Sequence, residues 1–255
     1  MNFSVTLVGT RGRMGAMFHE AWGKRRPVHV VNRTRDGSGR AAFRDGDLAN
    51  GIPLGDVVLL CVPAPAMPET LDRIRPYLRE GQILSDVCSV KINPMRWMEE
   101  RFDGPVVGTH PLFGPENGQT GGKVALVRGK NATDEAMDRV ASLFREIGCV
   151  PFTATAAEHD SAVGITQSLH FALSAAYFSA AARHENLAPY VTPSFLRFLE
   201  AARSELTSGA AMFGEFSAAN PLFPGILKEL AATLQTAGPD ELEKMVAEAR
   251  VWFEE

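Results

Sequence analysis

Short apolar runs alternating with helical segments fill the sequence as far as residue 153, and no other feature restricts the fold as much. The runs are Phe3 to Val8, Val28 to Val31, Val57 to Val62, Ile83 to Val87, Pro105 to Val107 and Lys123 to Val127. Their alternation with helical segments is the pattern of an α/β parallel sheet. Met14 to Lys24, Pro68 to Tyr77, Asn93 to Arg101 and Asp134 to Ile147 read as the helices between them. Thr133 suits the N-cap of the last, and Gly148 its stop. The order predicts an α/β domain over 1–153.

The texture then changes. Thr155-Ala-Ala-Glu158 has the form of a capping box, with threonine and glutamate each able to bond the other's amide. An alanine-rich stretch follows to about His184, with Leu169, Leu173, Ala176, Tyr177 and Ala180 at helical spacing. Pro189 and Pro193 interrupt it, and helices are expected near Ser194 to Ala211, Pro224 to Thr236 and Asp240 to Phe253. With no strand candidate after Phe152, residues 154–255 are expected to form an all-helical domain. Its small residues permit close helix packing, and its lack of a sizeable core of its own predicts a homodimer formed through it.

Composition narrows the function classes. A chain of 255 residues, 45% hydrophobic, can bury two cores. A formal net charge of -4 excludes a general polyanion binder, so no nucleic-acid partner is expected. The three cysteines, Cys61, Cys88 and Cys149, are scattered among apolar neighbours and read as core residues of a reducing compartment, not as a disulfide frame or metal site. No apolar run reaches the ~20 residues that span a bilayer, and residues 1–20 lack a signal-peptide pattern. A cytoplasmic protein without a membrane partner is the expectation.

Val5 to Val8 leads into Gly9-Thr10-Arg11-Gly12-Arg13-Met14-Gly15, a strand, a glycine turn and a helix start. Glycines let a backbone approach a pyrophosphate, whose charge suits a helix N-terminus. The G-x-G-x-x-G fingerprint would place glycines at 10, 12 and 15; Thr10 departs from it, and Gly9 comes one position early. At the first strand–helix junction of an α/β domain the pattern predicts a Rossmann-like dinucleotide site made by all seven residues. An NAD site would want an acidic residue about 20 positions on. Here stand Asn32, Arg33 and Thr34. Asn32 removes a carboxylate that would repel a 2′-phosphate, and Arg33 and Thr34 can donate to one. NADP is expected over NAD, with NAD possible; a solvated basic turn is the plainer alternative. Cys61-Val62-Pro63, after the third run, is placed beside the cofactor, against the alternative of a plain proline-rich turn.

Ser89, in Ser85-Asp-Val-Cys-Ser89-Val-Lys91, and His110, in Gly108-Thr-His110-Pro, close two neighbouring predicted strands. Ligands of open α/β sheets lie at the carboxyl ends of strands. An imidazole with an ordinary pKa of ~6.5 can take a proton near neutrality, and a serine hydroxyl can orient it. A lone histidine is more often structural. One at this position of a dinucleotide-binding fold is a candidate base.

Taken together, Gly9 to Gly15, Cys61-Val-Pro, Asp86-Val-Cys-Ser89-Val-Lys91, His110-Pro-Leu-Phe-Gly-Pro-Glu116 and Glu158-His159-Asp160 resemble the prephenate/arogenate dehydrogenase family. The motifs run in that family's order from residue 3 to about 180. The resemblance implies oxidative decarboxylation of a cyclohexadienyl acid such as prephenate or arogenate, in tyrosine biosynthesis, with His110 as proton acceptor and Ser89 hydrogen-bonded to it and to the substrate hydroxyl. It also implies substrate-binding roles for Glu116, Lys91, His170 and a helical arginine. Thr192-Pro193 precedes that arginine; Arg197 is preferred, while Arg203 or even Thr207 takes the place in other registers. A packed helix histidine remains the alternative for His170, and first-turn polar surface for His159. Other readings keep the cofactor with a related ring acid, such as 4-amino-4-deoxyprephenate, or with a 3-hydroxy acid. A non-catalytic NADPH-binding protein is the reading from another class.

Overall fold

A computed structural model of the chain describes residues 3–35, 41–115 and 121–253. β1 (Val5–Val8) runs through the glycine turn into α1 (Arg13–Gly23), then β2 (Val28–Val31). A small antiparallel pair, β3 (Thr34–Arg35) with β4 (Ala41–Ala42), precedes α2 (Asp45–Gly51) and β5 (Val57–Leu60). Next come α3 (Met67–Ile74), β6 (Ile83–Asp86), α4 (Ile92–Glu99), β7 (Val106–Pro111), β8 (Lys123–Arg128), α5 (Asp134–Glu146) and β9 (Val150–Ala154). The main sheet has seven strands in the order β2-β1-β5-β6-β7-β8-β9. β2, β1, β5, β6 and β7 are mutually parallel. The fold is α/β and Rossmann-like.

Side chains alternate across this sheet, so adjacent strand residues enter different cores. Val5, Leu7, Val57 and Leu59 face α1 and α5, where Phe18, Trp22 and Phe144 form the centre. Val8, Val58 and Leu60 face α2, α3 and α4 through Leu48, Leu71, Ile74 and Met98. Phe18 and Trp22 stack at 4.7 Å between centroids, and the indole N–H donates to Leu143 O at 2.9 Å. The buried aromatic therefore keeps its polar atom satisfied.

Three features differ from the sequence reading. β7 continues through Gly108, Thr109 and His110 to Pro111, pairing antiparallel with β8, so His110 lies within a strand rather than beyond its end. β8 and β9 are parallel to each other but reversed against the rest, which makes the sheet mixed. β9 itself was not expected as a strand: Pro151 cannot complete a ladder, and it is tolerated because β9 is an edge.

α6 (Ala156–Val163) starts at the predicted capping box: Thr155 N–H donates to Glu158 Oε2 at 2.8 Å, and Glu158 N–H to Thr155 Oγ1 at 3.1 Å. The chain forms two compact units, one of residues 1–163 with 218–220, the other of 164–217 with 221–255. The division thus follows Val163 rather than Thr153. α6 stays with the sheet because Asp160 accepts the amides of Lys91 at 2.6 Å and Ile92 at 2.9 Å.

The second unit is helical throughout its described residues. A π-helical segment, Gly164–Leu169, leads into α7 (His170–Ala182). α8 (Pro193–Ser204) passes through a second π segment, Glu205–Gly209, into α9 (Ala210–Ala219), whose last residues belong to the first unit. α10 (Phe223–Thr236) and α11 (Pro239–Ala249) follow. Tyr177, Phe178, Phe195 and Phe198 cluster between α7 and α8. Among the described hydrophobic residues of this unit only Ala202 is buried, while Leu196, Val246 and Trp252 are exposed.

Candidate active site

The carboxyl ends of β1, β2, β5, β6 and β7 line up along one edge of the sheet, and each carries a predicted site residue. At β1 the chain turns at Gly9, whose φ of +102° suits glycine. A Cβ on Gly9 would lie 2.6 Å from Cys61 O, and one on Gly15 would lie 2.5 Å from Gly9 O. Those two glycines are required by the protein's own packing. Gly12 is different: the nearest atom to a Cβ there is Gly9 O at 3.5 Å, ordinary contact. Gly12 also caps α1 with no side-chain hydrogen bond and no acidic residue in the first turn. A phosphate approaching the helix N-terminus would need that open space and those amides, so the loop fits a dinucleotide pyrophosphate.

β2 is tied to this loop by Asn32. Its Nδ2 donates to Thr10 Oγ1 at 2.9 Å, and its Oδ1 accepts the Arg11 amide at 3.3 Å. Arg11 reaches across to Arg33 O at 2.8 Å. Arg33 is exposed beside this junction, and Thr34 is half-buried in β3. Two residues of the predicted cofactor set are placed differently from the rest. Met14 packs against the core around Trp22, and Val62 is buried in the core on the opposite face. Cys61 is partly buried at the end of β5, and Pro63 caps the short 3₁₀ turn Ala64–Ala66. Burial pushes the Cys61 thiol up to about 12, so it is an inert wall rather than a nucleophile.

At β6 and β7 a buried polar network appears. The Lys91 ammonium is fully buried and donates to Asp86 Oδ2 at 2.5 Å and to Thr109 O at 2.6 Å. Asp86 Oδ2 also accepts the Cys88 amide at 2.8 Å, and Oδ1 accepts the Thr109 amide at 3.3 Å. The Thr109 hydroxyl donates to Asp86 O at 2.5 Å. The expectation that Lys91 binds substrate is therefore corrected: among the described residues its ammonium bonds the two strand ends it joins, and its side chain is fully buried.

His110 follows Thr109 directly and is 5% exposed. Its Nδ1 lies 2.9 Å from His159 Nε2, and His159 Nδ1 lies 2.8 Å from Asp160 Oδ1. Nε2 of His110 makes no hydrogen bond among the described residues. Burial, with His159 and Lys91 nearby, holds the His110 imidazolium well below the usual histidine range. Ser89 is half-buried, and its hydroxyl makes no hydrogen bond to His110; the partner of His110 is His159. His159 is not surface either, being 5% exposed. The sequence signal for it was the inward stripe of α6, where His159, Asp160 and Val163 are buried.

The remaining predicted residues are outside the first unit or outside the described residues. Glu116 falls outside the described residues. In the helical unit, His170 Nδ1 pairs with Glu205 Oε1 at 3.3 Å. Arg197 is exposed with a guanidinium nitrogen 3.2 Å from Ser194 Oγ, while Arg203 is engaged by Glu200 at 2.9 Å. Thr207 donates its hydroxyl to Arg203 O at 2.7 Å.

Similarity to known proteins agrees with this arrangement. The family model for the prephenate dehydrogenase nucleotide-binding domain matches residues 34–151. The T-protein of Haemophilus influenzae is 31% identical over 171 residues, covering 66% of this chain and 42% of that protein. The probable arogenate/prephenate dehydrogenase of Methanocaldococcus jannaschii is 32% identical over 123 residues, covering 46% of this chain and 28% of its own. The chain thus spans less than half the length of these curated relatives. In fold it is similar to the crystal structure of prephenate dehydrogenase from A. aeolicus in complex with hydroxyphenyl propionate and NAD+, with a TM-score of 0.71, 19% identity, and 100% and 99% of the two chains covered. No helix among the described residues is long and apolar enough to cross a membrane. Sequence motifs, fold and the matched model agree: residues 34–151 are similar to the nucleotide-binding domain of prephenate dehydrogenase, and the chain is similar to arogenate/prephenate dehydrogenases.

Proposed function

We propose that the protein carries out NADP-dependent oxidative decarboxylation of prephenate or arogenate, a step of tyrosine biosynthesis, with His110 as the proton acceptor. The observation that carries this reading is His110 itself, buried at a strand end with Nδ1 engaged and Nε2 without a partner among the described residues. Bound at the glycine loop, an oxidised nicotinamide dinucleotide supplies the hydride acceptor. His110 takes the proton of the ring C4 hydroxyl as hydride leaves C4. Loss of the ring carboxylate as carbon dioxide sends its electron pair into the ring, and the new phenol oxygen recovers the proton. Because aromatisation drives the sequence, the protein's task is orientation and proton handling. Ser89, which follows β6, is proposed to meet the substrate hydroxyl. His170 and Arg197 are proposed to bind the substrate, Arg197 through a carboxylate.

The test is direct. Reduced-nicotinamide absorbance should appear when prephenate and NADP are added, and should appear more weakly with NAD. kcat/KM for NADP should exceed that for NAD by about tenfold or more, the worth of a charge-assisted contact to the 2′-phosphate. Arg33→Ala should remove most of that preference while leaving NAD turnover in place. A preference for NAD in the native protein would overturn the NADP assignment, and silence with every dienyl acid would overturn the dehydrogenase itself.

The proposed assembly is a homodimer formed through the helical unit. Its support is the shortage of buried hydrophobic side chains there and the exposure of Leu196, Val246 and Trp252. Sedimentation equilibrium at micromolar concentration should give twice the chain mass. A monomer at that concentration would refute it.

A further inference from the structure

We infer that Asp160, His159 and His110 form a proton relay, in which Asp160 and His159 fix His110 as the Nδ1–H tautomer and the proton taken from substrate comes to rest on His159. The direction of proton travel rests on the dehydrogenation proposed above; the tautomer does not, because geometry alone orders the protons along the chain of contacts.

The order begins at Asp160. Its carboxylate accepts two backbone amides, from Lys91 at 2.6 Å and Ile92 at 2.9 Å, neither of which can act as an acceptor. Oδ1 also meets His159 Nδ1 at 2.8 Å. An ionised carboxylate held by donors asks for one more donor, so Nδ1 of His159 carries hydrogen. A neutral His159 then has its lone pair on Nε2. That nitrogen lies 2.9 Å from His110 Nδ1, which must be the donor across the contact. His110 is left with a lone pair on Nε2, the nitrogen with no partner among the described residues. The backbone N–H groups of residues 91 and 92 thereby set, through two rings, which atom of His110 is basic.

Where the proton stays follows from charge. Around His110 stand the Lys91 ammonium, paired with Asp86, and His159, paired with Asp160. A cation on His110 is disfavoured by burial, then by charge on His159, then by Lys91. On His159 it sits directly against the Asp160 carboxylate. As substrate gives its proton to His110 Nε2, the Nδ1 proton passes to His159 Nε2; both rings keep their atoms, His110 stays neutral, and Asp160 stays ionised. Returning the proton to the phenol oxygen reverses both transfers. His159 and Asp160 are positioning residues that also store the proton.

Two measurements test this. In native protein with ¹⁵N-labelled histidine, at neutral pH without substrate, His110 should show a protonated Nδ1 and an unprotonated Nε2, and His159 a protonated Nδ1. A protonated Nε2 on His110 would overturn the relay whatever the turnover. In kinetics, His159→Gln keeps an acceptor for the His110 Nδ1–H but cannot store a proton, so kcat should fall by about tenfold with both KM values held. Its acid limb should move to lower pH, because the remaining base is His110, whose cation burial and Lys91 still disfavour once His159 is gone. His159→Leu loses the acceptor as well and should lose about a hundredfold in kcat. An unmoved acid limb with kcat near native in His159→Gln would sink the storage role. Correct nitrogen assignments in a protein that oxidises no dienyl acid would overturn the proposed function and support the fixed tautomer.

Discussion

His110→Asn should lower kcat by about a thousandfold while the dissociation constants for NADP and substrate change little, read by steady-state rates and by fluorescence titration. The size follows from what is removed. General-base assistance contributes ~10²–10⁴-fold, and the variant keeps everything else. An asparagine amide nitrogen takes roughly the place of imidazole Nδ1 and can still donate to His159 Nε2. The buried contact that orients α6 against β7 is therefore retained, and no large loss of stability is expected. Asparagine has no counterpart to Nε2. The glycine loop is separate from the substitution, being built from β1 and the start of α1, so dinucleotide binding should persist. That separation also distinguishes the reading of a non-catalytic NADPH-binding protein, for which native and variant chains would be equally silent. If the variant turned substrate over at the native rate, His110 would have no part in the mechanism, and the network around it would be structural.

Several elements were legible because their physics is local. β5 is a continuous aliphatic run, Val57-Val-Leu-Leu60, and β1, β2 and β6 each carry two or three aliphatic residues in four, enough to mark the strands of a sheet whose centre is buried on both faces. α5 announced itself by Thr133, whose hydroxyl accepts the Ala136 amide at 3.2 Å. α2 was missed because Asp45-Gly-Asp-Leu-Ala-Asn-Gly51 is polar and holds glycine at its second and last positions; one buried leucine, Leu48, anchors it. The end of β7 was missed because Gly108-Thr-His-Pro111 lacks aliphatic residues, and beyond Gly108 its strand pairing is with β8. At the site, His110 could be singled out by its place after an apolar run. Its true partner could not, since His159 is 49 residues away and the two meet only once α6 docks. Lys91 was misassigned for a related reason. A lysine beside a serine in a functional-looking motif reads as a ligand contact, whereas five residues of turn return its ammonium to Asp86 on the strand it has just left.

That misassignment gives the second large effect, and it concerns stability. Lys91→Met should destabilise the protein by about 3–5 kcal/mol, the cost of stranding one member of a buried ion pair. Both side chains are 0% exposed, so solvent cannot stand in for the missing ammonium. Methionine fills similar volume, which keeps the cavity contribution small. What remains is a buried Asp86 carboxylate with the Cys88 and Thr109 amides but no countercharge, and a Thr109 carbonyl with one donor fewer. Asp86→Asn added to Lys91→Met removes the stranded charge while keeping an oxygen for one of those amides. The double variant should recover part of the loss, with a coupling of about 1–3 kcal/mol in the cycle. Urea unfolding followed by circular dichroism measures both. A substrate-binding Lys91 would give the reverse pattern, with an unchanged midpoint and a raised KM. Because the ammonium ties Thr109 to Asp86, and Thr109 immediately precedes His110, the stable fraction of Lys91→Met should also turn over more slowly at an unchanged KM for the dinucleotide. A midpoint equal to that of the native protein would mean that the pair joining β6 to β7 does not hold those strand ends together.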